Sequence, residues 1–505
     1  MKKSDMSRLG CAAVIAGLAL TVPAQAQTPL PRDVLDTCVV SPTAFADWQA
    51  SPGVFTPADS TTFNDATDCN FFIWGARMFL WLTSATSGTY VFDGPDFLDV
   101  VGNEYVALSG SQSGVGQFAP RTEKQDDETG VAQTGGSGVL ISPAGEIVHY
   151  GVKVNDLYAY YQTGVKSADH PANFSGDLAN DFPTTAGDLQ QITDYVSRVF
   201  KTDIPQGEAL AMELKTSWVD AASLDHPEDY VTIDATVSVY DHTSPAAWVQ
   251  TGTAVRKMAL VGFHVVGSVN NHPEMVWATF DHINNAPQNP YIYINVFGEA
   301  VEAPYDGNLP GTSWTFNADP HEASTPVLAV VERATHKTIT YHVTEKVSIN
   351  VSAIVADQGQ TVGPNTVVRI NPWGDAPAEG LAAMDASYGS GSTAITRATD
   401  LISLNRSILN QLAAGDVRRN YIQTGSIWSS GGPDAIPTSG TDPVLRGTLR
   451  LANSTMETFH QFPDSHGTGS FKPENCFGCH SVATNSSPSQ GVSHIFGKLT
   501  PLAPN

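Results

Sequence analysis

Hydrophobic positions along the chain fall into three kinds of run. Residues 70–83 (NFFIWGARMFLWLT) are nearly continuously apolar and too long for a strand, which predicts a buried helix opening just after Cys69 with Asp68 as its N-cap. Its aromatics, Phe71, Phe72, Trp74, Phe79 and Trp81, are expected to be core. Helical spacing recurs at 188–200, where Leu189, Ile192, Val196, Val199 and Phe200 form one stripe, and at 400–414, carried by Leu401, Leu404, Ile408 and Leu412. Shorter β-like runs lie at 138–142, 146–150, 209–218, 231–240, 258–267, 275–282 and 348–355; residues 231–240 (VTIDATVSVY) alternate as a half-buried strand should. Residues 27–60 are rich in turn formers, 109–137 in Gly, Ser, Gln and Asp, 385–395 in Gly, Ser and Ala, and 429–443 (SSGGPDAIPTSGTDP) in loop residues.

These runs predict an α+β chain. A β-rich portion at 27–390, sandwich or barrel-like, precedes a more helical C-terminal module at 391–505. Residues 1–26 read as a secretory signal peptide. Met1-Lys2-Lys3 to Arg8 is a basic start, 9–22 is an apolar run shorter than a membrane span, and Ala24-Gln25-Ala26 is a cleavage site. Cys11 in that run is poorly matched to a lipoprotein signal. The expected mature protein is exported, periplasmic or secreted, with no membrane span.

Charge narrows the partners. With 26 Lys and Arg against 51 Asp and Glu the chain carries −25, and loss of Lys2, Lys3, Arg8 and Asp5 with the signal takes it to −27. Such a chain repels phosphate backbones and anionic lipid, so nucleic acid is not an expected partner. Export also sorts the five cysteines. Cys38 and Cys69, 31 residues apart, are expected to form a disulfide in an oxidising compartment.

Cys476-Phe477-Gly478-Cys479-His480 is a C-x-x-C-H sequence, the attachment motif of a c-type haem. Two thiols one helical turn apart reach the two vinyl groups on one porphyrin edge, and the adjacent His supplies the proximal nitrogen to iron. A zinc site using Cys476, Cys479 and two His, or a redox dithiol, are the rivals. Export favours the haem, which is attached after translocation. No second copy of the motif occurs, so one covalent haem c is expected.

The sixth ligand is less determined. Only 25 residues follow His480 and none is Met, unlike the small cytochromes c. His494, in Val492-Ser493-His494-Ile495-Phe496, is the leading candidate, its apolar neighbours expected to pack on the porphyrin. Met456 and His460, four apart on an expected helix, are alternatives, as are His466, a distant residue or an open position. A second constellation, His264, His272, Glu274, Asp281 and His282, lies within 19 residues. A hairpin turning near residue 271 would set His264 beside Ala278 and leave His282 roughly 13 Å away, too far to share one ion. It reads either as a buried hairpin with polar ends or as a pocket beside the haem.

The stretches Ala211–Trp218, Leu260–His264, Val276–Pro287 and Leu451–Phe459, with the C-terminal C-x-x-C-H, resemble large exported bacterial proteins of the cytochrome c family. The resemblance implies one covalent haem and draws attention to 211–287, and it names no substrate. Three functions follow as expectations: an electron-transfer cytochrome serving periplasmic redox partners, a haem-dependent oxidoreductase with a substrate pocket in the β-rich portion, and a non-catalytic haem sensor or binding protein. Roughly 360 residues ahead of the haem module exceed what a shuttle needs, but no nucleotide-binding glycine pattern or H-E-x-x-H is present.

Overall fold

A computed structural model describes residues 30–101, 103–106, 115–117, 138–168, 173–308, 313–318, 347–350, 353–356, 361–374, 391–458 and 475–504. Residues 1–26, where a signal peptide is expected, and His460 and His466 lie outside the described residues. Four longer helices are α1 (Asp68–Leu82), α2 (Asp156–Lys166), α3 (Ala186–Val199) and α4 (Gly391–Leu409). Nine strands matter here: β1 (Phe97–Val101), β2 (Glu104–Val106), β3 (His149–Asn155), β4 (Met212–Asp220), β5 (Thr232–Asp241), β6 (Ala247–Val269), β7 (His272–His282), β8 (Tyr421–Ser429) and β9 (Leu445–Gly447).

They belong to one 13-stranded sheet whose main path runs β2-β1-β3-β4-β6-β7-β8-β9, antiparallel throughout. The protein is therefore α+β, but among the described residues this sheet is faced by helices and the C-terminal segment, where a sandwich or barrel was expected. The stretch after 391 contributes one long helix and two strands of this same sheet, since β8 pairs with β7. No helix among the described residues is long and apolar enough to cross a membrane.

Alternation along the strands sends side chains to two faces. On one, Leu214, Phe263, Val265, Val276, Ala278 and Phe280 meet α1 and α4. Helix α1 begins at Asp68, capped by the Thr67 side chain rather than by Asp68 itself, and its aromatics are core as expected. Phe79 stacks on Phe280 at 4.3 Å and Phe71 on Trp428 at 4.0 Å. The approach is close at Gly75, where a Cβ would stand 2.7 Å from the Cβ of Ala278. Cys38 and Cys69 are joined by a disulfide, Cα atoms 5.6 Å apart, tying the lead-in to α1. The lead-in also docks on α4 through Ser403 Oγ, which accepts from the Cys38 N–H at 3.0 Å.

On the opposite face, Val266, Trp277 and Ile427 pack with Phe477, Val492, Ile495 and Phe496 and with α2 and α3. Helix α3 matches its predicted stripe and is closed by a capping box from Thr185 and Asp188. Helix α2 had no counterpart in the sequence reading: its Tyr158 and Tyr161 are buried there, and Asn155 caps it. Helix α4 starts nine residues before the expected 400, inside the Gly/Ser/Ala-rich stretch.

Candidate functional site

The C-x-x-C-H motif sits on the face opposite α1. Cys476–Cys479 is a single helical turn whose N-cap, Asn475, accepts from the Phe477 N–H at 3.0 Å. Asn475 also donates to the carbonyls of Gly440 and Leu449, and Pro437 O accepts from Val482 N, so the loop before β9 clamps the turn. Phe477 is fully buried against Trp277, ring centroids 5.5 Å apart. This leaves Cys476 partly buried and Cys479 exposed, two thiols one turn apart and outside any disulfide.

His480 is partly buried. Its Nδ1 lies 2.8 Å from the Val492 carbonyl, which can only accept, so Nδ1 carries the proton and Nε2 holds the lone pair. Burial, with the charges of His494, Lys215 and His264 behind it, holds the ring well below the usual histidine range and hence neutral. A neutral imidazole whose second nitrogen is anchored on a carbonyl is the ordinary state of a metal-ligating His. The thiols and this tautomer fit the donor set of a covalent haem. Burial, then the nearby Glu457 carboxylate, pushes the Cys476 thiol up, opposite to what a thiolate-based dithiol redox centre requires. Among the described residues no group of three or more His, Cys, Asp or Glu is placed to hold a metal ion.

His494 is beside the motif. Its ring lies on that of His480, centroids 3.8 Å apart and planes 15° apart, and Nε2 is 3.1 Å from the Cys479 carbonyl. To ligate an iron held by His480, the His494 ring would have to leave both contacts. Ile495 and Phe496 are spent on the core, Phe496 against Tyr158, Tyr161 and Phe182. Met456 is buried in a separate cluster with Leu140, Tyr150 and Val261.

The hairpin β6–β7 turns at Asn270 and Asn271 and supplies the floor of the site. His264 pairs with Thr279, one position from the expected Ala278, and the register shifts by two residues between Gly267 and Val269. Register lines up two rows on the motif face: Lys215–His264–Thr279–Gly425 and Glu213–Val266–Trp277–Ile427 across β4, β6, β7 and β8. In the first, His264 Nδ1 meets Thr279 Oγ1 at 2.8 Å and Nε2 meets Glu457 Oε1 at 2.9 Å. Burial raises the Glu457 pKa, but the His264 charge and hydrogen bond and the Lys215 charge outweigh it and bring it to about 2. In the second, Trp277 touches the His480 ring at 4.4 Å, and Glu213 accepts from Ser493 Oγ at 2.6 Å.

Glu457 reaches His264 because residues 451–458 lie directly on the sheet. At Gly262 a Cβ would come within 2.5–2.7 Å of Ser217 Oγ, Thr455 Oγ1 and Asn453 Oδ1, and at Gly425 within 2.3 Å of Thr448 Oγ1. These two glycines let the segment approach.

The other members of the second constellation are elsewhere. His272 and Glu274 bond each other at 2.9 Å beside Phe71 on the α1 side, and Glu274 Oε1 also accepts from Ser429. His282 stacks on Tyr230 at 3.7 Å, its Nε2 3.2 Å from the Asp229 carbonyl, and burial lowers its pKa to about 3. Asp281 is buried and pairs with Arg369 at 2.9 Å. Of the five, only His264 joins the motif. The sequence reading missed Lys215, Glu213, Trp277 and Glu457; the alternation of Glu213, Lys215 and Ser217 between apolar neighbours was the available signal. No protein-family model, curated protein or solved structure matches this chain.

Proposed function

We propose that the chain is an exported monohaem c-type cytochrome that transfers electrons, with the haem joined through thioethers at Cys476 and Cys479 and His480 Nε2 as proximal ligand. The bound group would supply a one-electron carrier. The observation that carries the reading is the His480–Val492 hydrogen bond, which sets the tautomer a ligand needs immediately beside a two-thiol turn. The exposure of Cys479 favours a haem seated at the surface, where an edge is within reach of a redox partner. The chain's negative charge favours a basic partner.

A haem-dependent oxidoreductase is the second reading, favoured by one feature: Lys215, His264 and Glu457 form a charged group whose field reaches Cys476 and His480. An acid–base pair beside a haem is what substrate chemistry would use and an electron shuttle would not need. Purified holoprotein separates the two. A shuttle exchanges electrons without binding CO or cyanide readily, whereas an enzyme with an open iron position binds them. Absence of haem from the denatured chain would reject both.

A further inference from the structure

The ring of His480 is fixed at one end only, by the bond from Nδ1 to the Val492 carbonyl. One hydrogen bond beside the Cβ attachment limits the ring's rotation without fixing it, and rotation changes which way Nε2 presents. Ring contacts restrict it further, and two are made: Trp277, tilted at 4.4 Å and 49°, and His494, stacked at 3.8 Å and 15°. They are not equally firm. His494 is partly exposed and held by one contact to the Cys479 carbonyl. Trp277 is 6% exposed, in a strand paired on both sides, to Val266 and to Ile427.

The indole itself is locked. Its Nε1–H donates to the carbonyl of Glu274 at 3.0 Å. In a regular strand residues three apart are roughly 10 Å from each other and on opposite faces, so this bond cannot form. It forms here because Met275, between them, has φ of 68°, a left-handed conformation rare for a side chain of this kind. Met275 lies in the stretch between the paired positions His272 and Val276 where the register shifts, and this bulge anchors Trp277 under His480. Phe477, inside the C-x-x-C-H turn, closes the other side of the indole at 5.5 Å.

We infer that Trp277 is a positioning residue for the proximal ligand, holding the His480 ring at one rotation so that Nε2 meets the iron in a single orientation. The inference rests on the haem reading above. It concerns Trp277 acting through His480 and not direct contact with a substrate.

The test uses Trp277→Leu in the full chain with three readouts: covalent haem by staining of the denatured protein, midpoint potential, and the low-spin ferric resonance spectrum. Haem attachment is expected to be unchanged. The reduction equilibrium is expected to move at least threefold, about 30 mV at 59 mV per tenfold for one electron, and the low-spin signal to broaden. A variant that carries haem with the wild-type potential and a single sharp signal overturns the inference. If Trp277→Leu does not fold, Trp277→Phe decides. It keeps a ring but loses the indole N–H, so it predicts more than one His480 orientation, and one wild-type-like signal overturns the proposal. Failure of the haem reading is told apart by the haem-free chain. There the His480 ring protons, assigned with His480→Asn, should show a ring-current displacement that Trp277→Leu removes. Its absence in the wild type overturns the Trp277 contact whether or not haem is bound.

Discussion

Replacing Glu457 by Gln tests the polar half of the site. The carboxylate pairs with His264 at 2.9 Å and accepts from the Asn453 N–H at 2.9 Å. Burial acts to raise its pKa; His264 and Lys215 outweigh that and take it from 4.5 to about 2. Each pKa unit is worth about 1.4 kcal/mol, which sets an upper figure of ~3 kcal/mol. About a quarter of the side chain is exposed, and solvent screening trims the expected contribution to roughly 2 kcal/mol. The sign follows from the direction of the shift. A depressed folded-state value means that the contribution is present above pH 4.5 and lost as pH falls toward 2. Urea unfolding monitored by Trp fluorescence at steps from pH 6 to pH 2.5 should show the wild type losing stability faster than Glu457→Gln. The two curves should converge at the acid end. The variant should also unfold at lower urea at pH 6. Equal stability at pH 6 together with parallel acid profiles would refute the argument that His264 and Lys215 hold this carboxylate ionised.

Three further outcomes are expected. Cys38→Ser with Cys69→Ser should lower stability by about 3–4 kcal/mol, the loop entropy of a 31-residue closure; unreduced peptide mapping of the wild type should recover the linked pair. Gly75→Ala should cost about 1–3 kcal/mol by forcing α1 off Ala278 and Gln423, read as a lowered thermal midpoint with unchanged far-ultraviolet dichroism. If His494 is drawn onto the iron when haem binds, the ferric protein lacks the near-infrared sulfur-to-iron band, and His494→Ala changes both spectrum and potential. If His494 keeps its place on the His480 ring, His494→Ala leaves the sixth ligand, and with it the spin state, unaltered.

The sequence made the apolar parts of this fold legible and the polar parts only partly so. Helix α1 and the β6–β7 hairpin stand out because nearly continuous apolar runs such as NFFIWGARMFLWLT and MALVGFHVV encode burial directly. Helix α2 does not, because its buried face is built from Tyr158, Tyr161 and Gln162, whose polar atoms are satisfied by distant partners such as Ser493 Oγ and the Phe496 carbonyl. Residues 391–409 form a helix despite their Gly, Ser and Thr because Ser403 and Ser407 exchange hydrogen bonds with the backbone of Cys38 and Val40, over 360 residues away. The motif was readable as a local pattern. The neighbours of His480 were not, since Trp277 reaches it through sheet register, and a two-residue shift beside the turn decides which rung of the hairpin lies under it. Crowding His264, His272 and His282 into a short stretch invited a pocket reading, but strand spacing already set His264 and His282 too far apart to share an ion, and the hairpin sends the three to separate places.

The central claim is covalent haem at Cys476 and Cys479, and intact mass spectrometry of the denatured chain measures it. The account predicts one haem per chain retained through denaturation and lost in Cys476→Ala with Cys479→Ala. A wild-type mass with no haem, or one zinc per chain in its place, contradicts it.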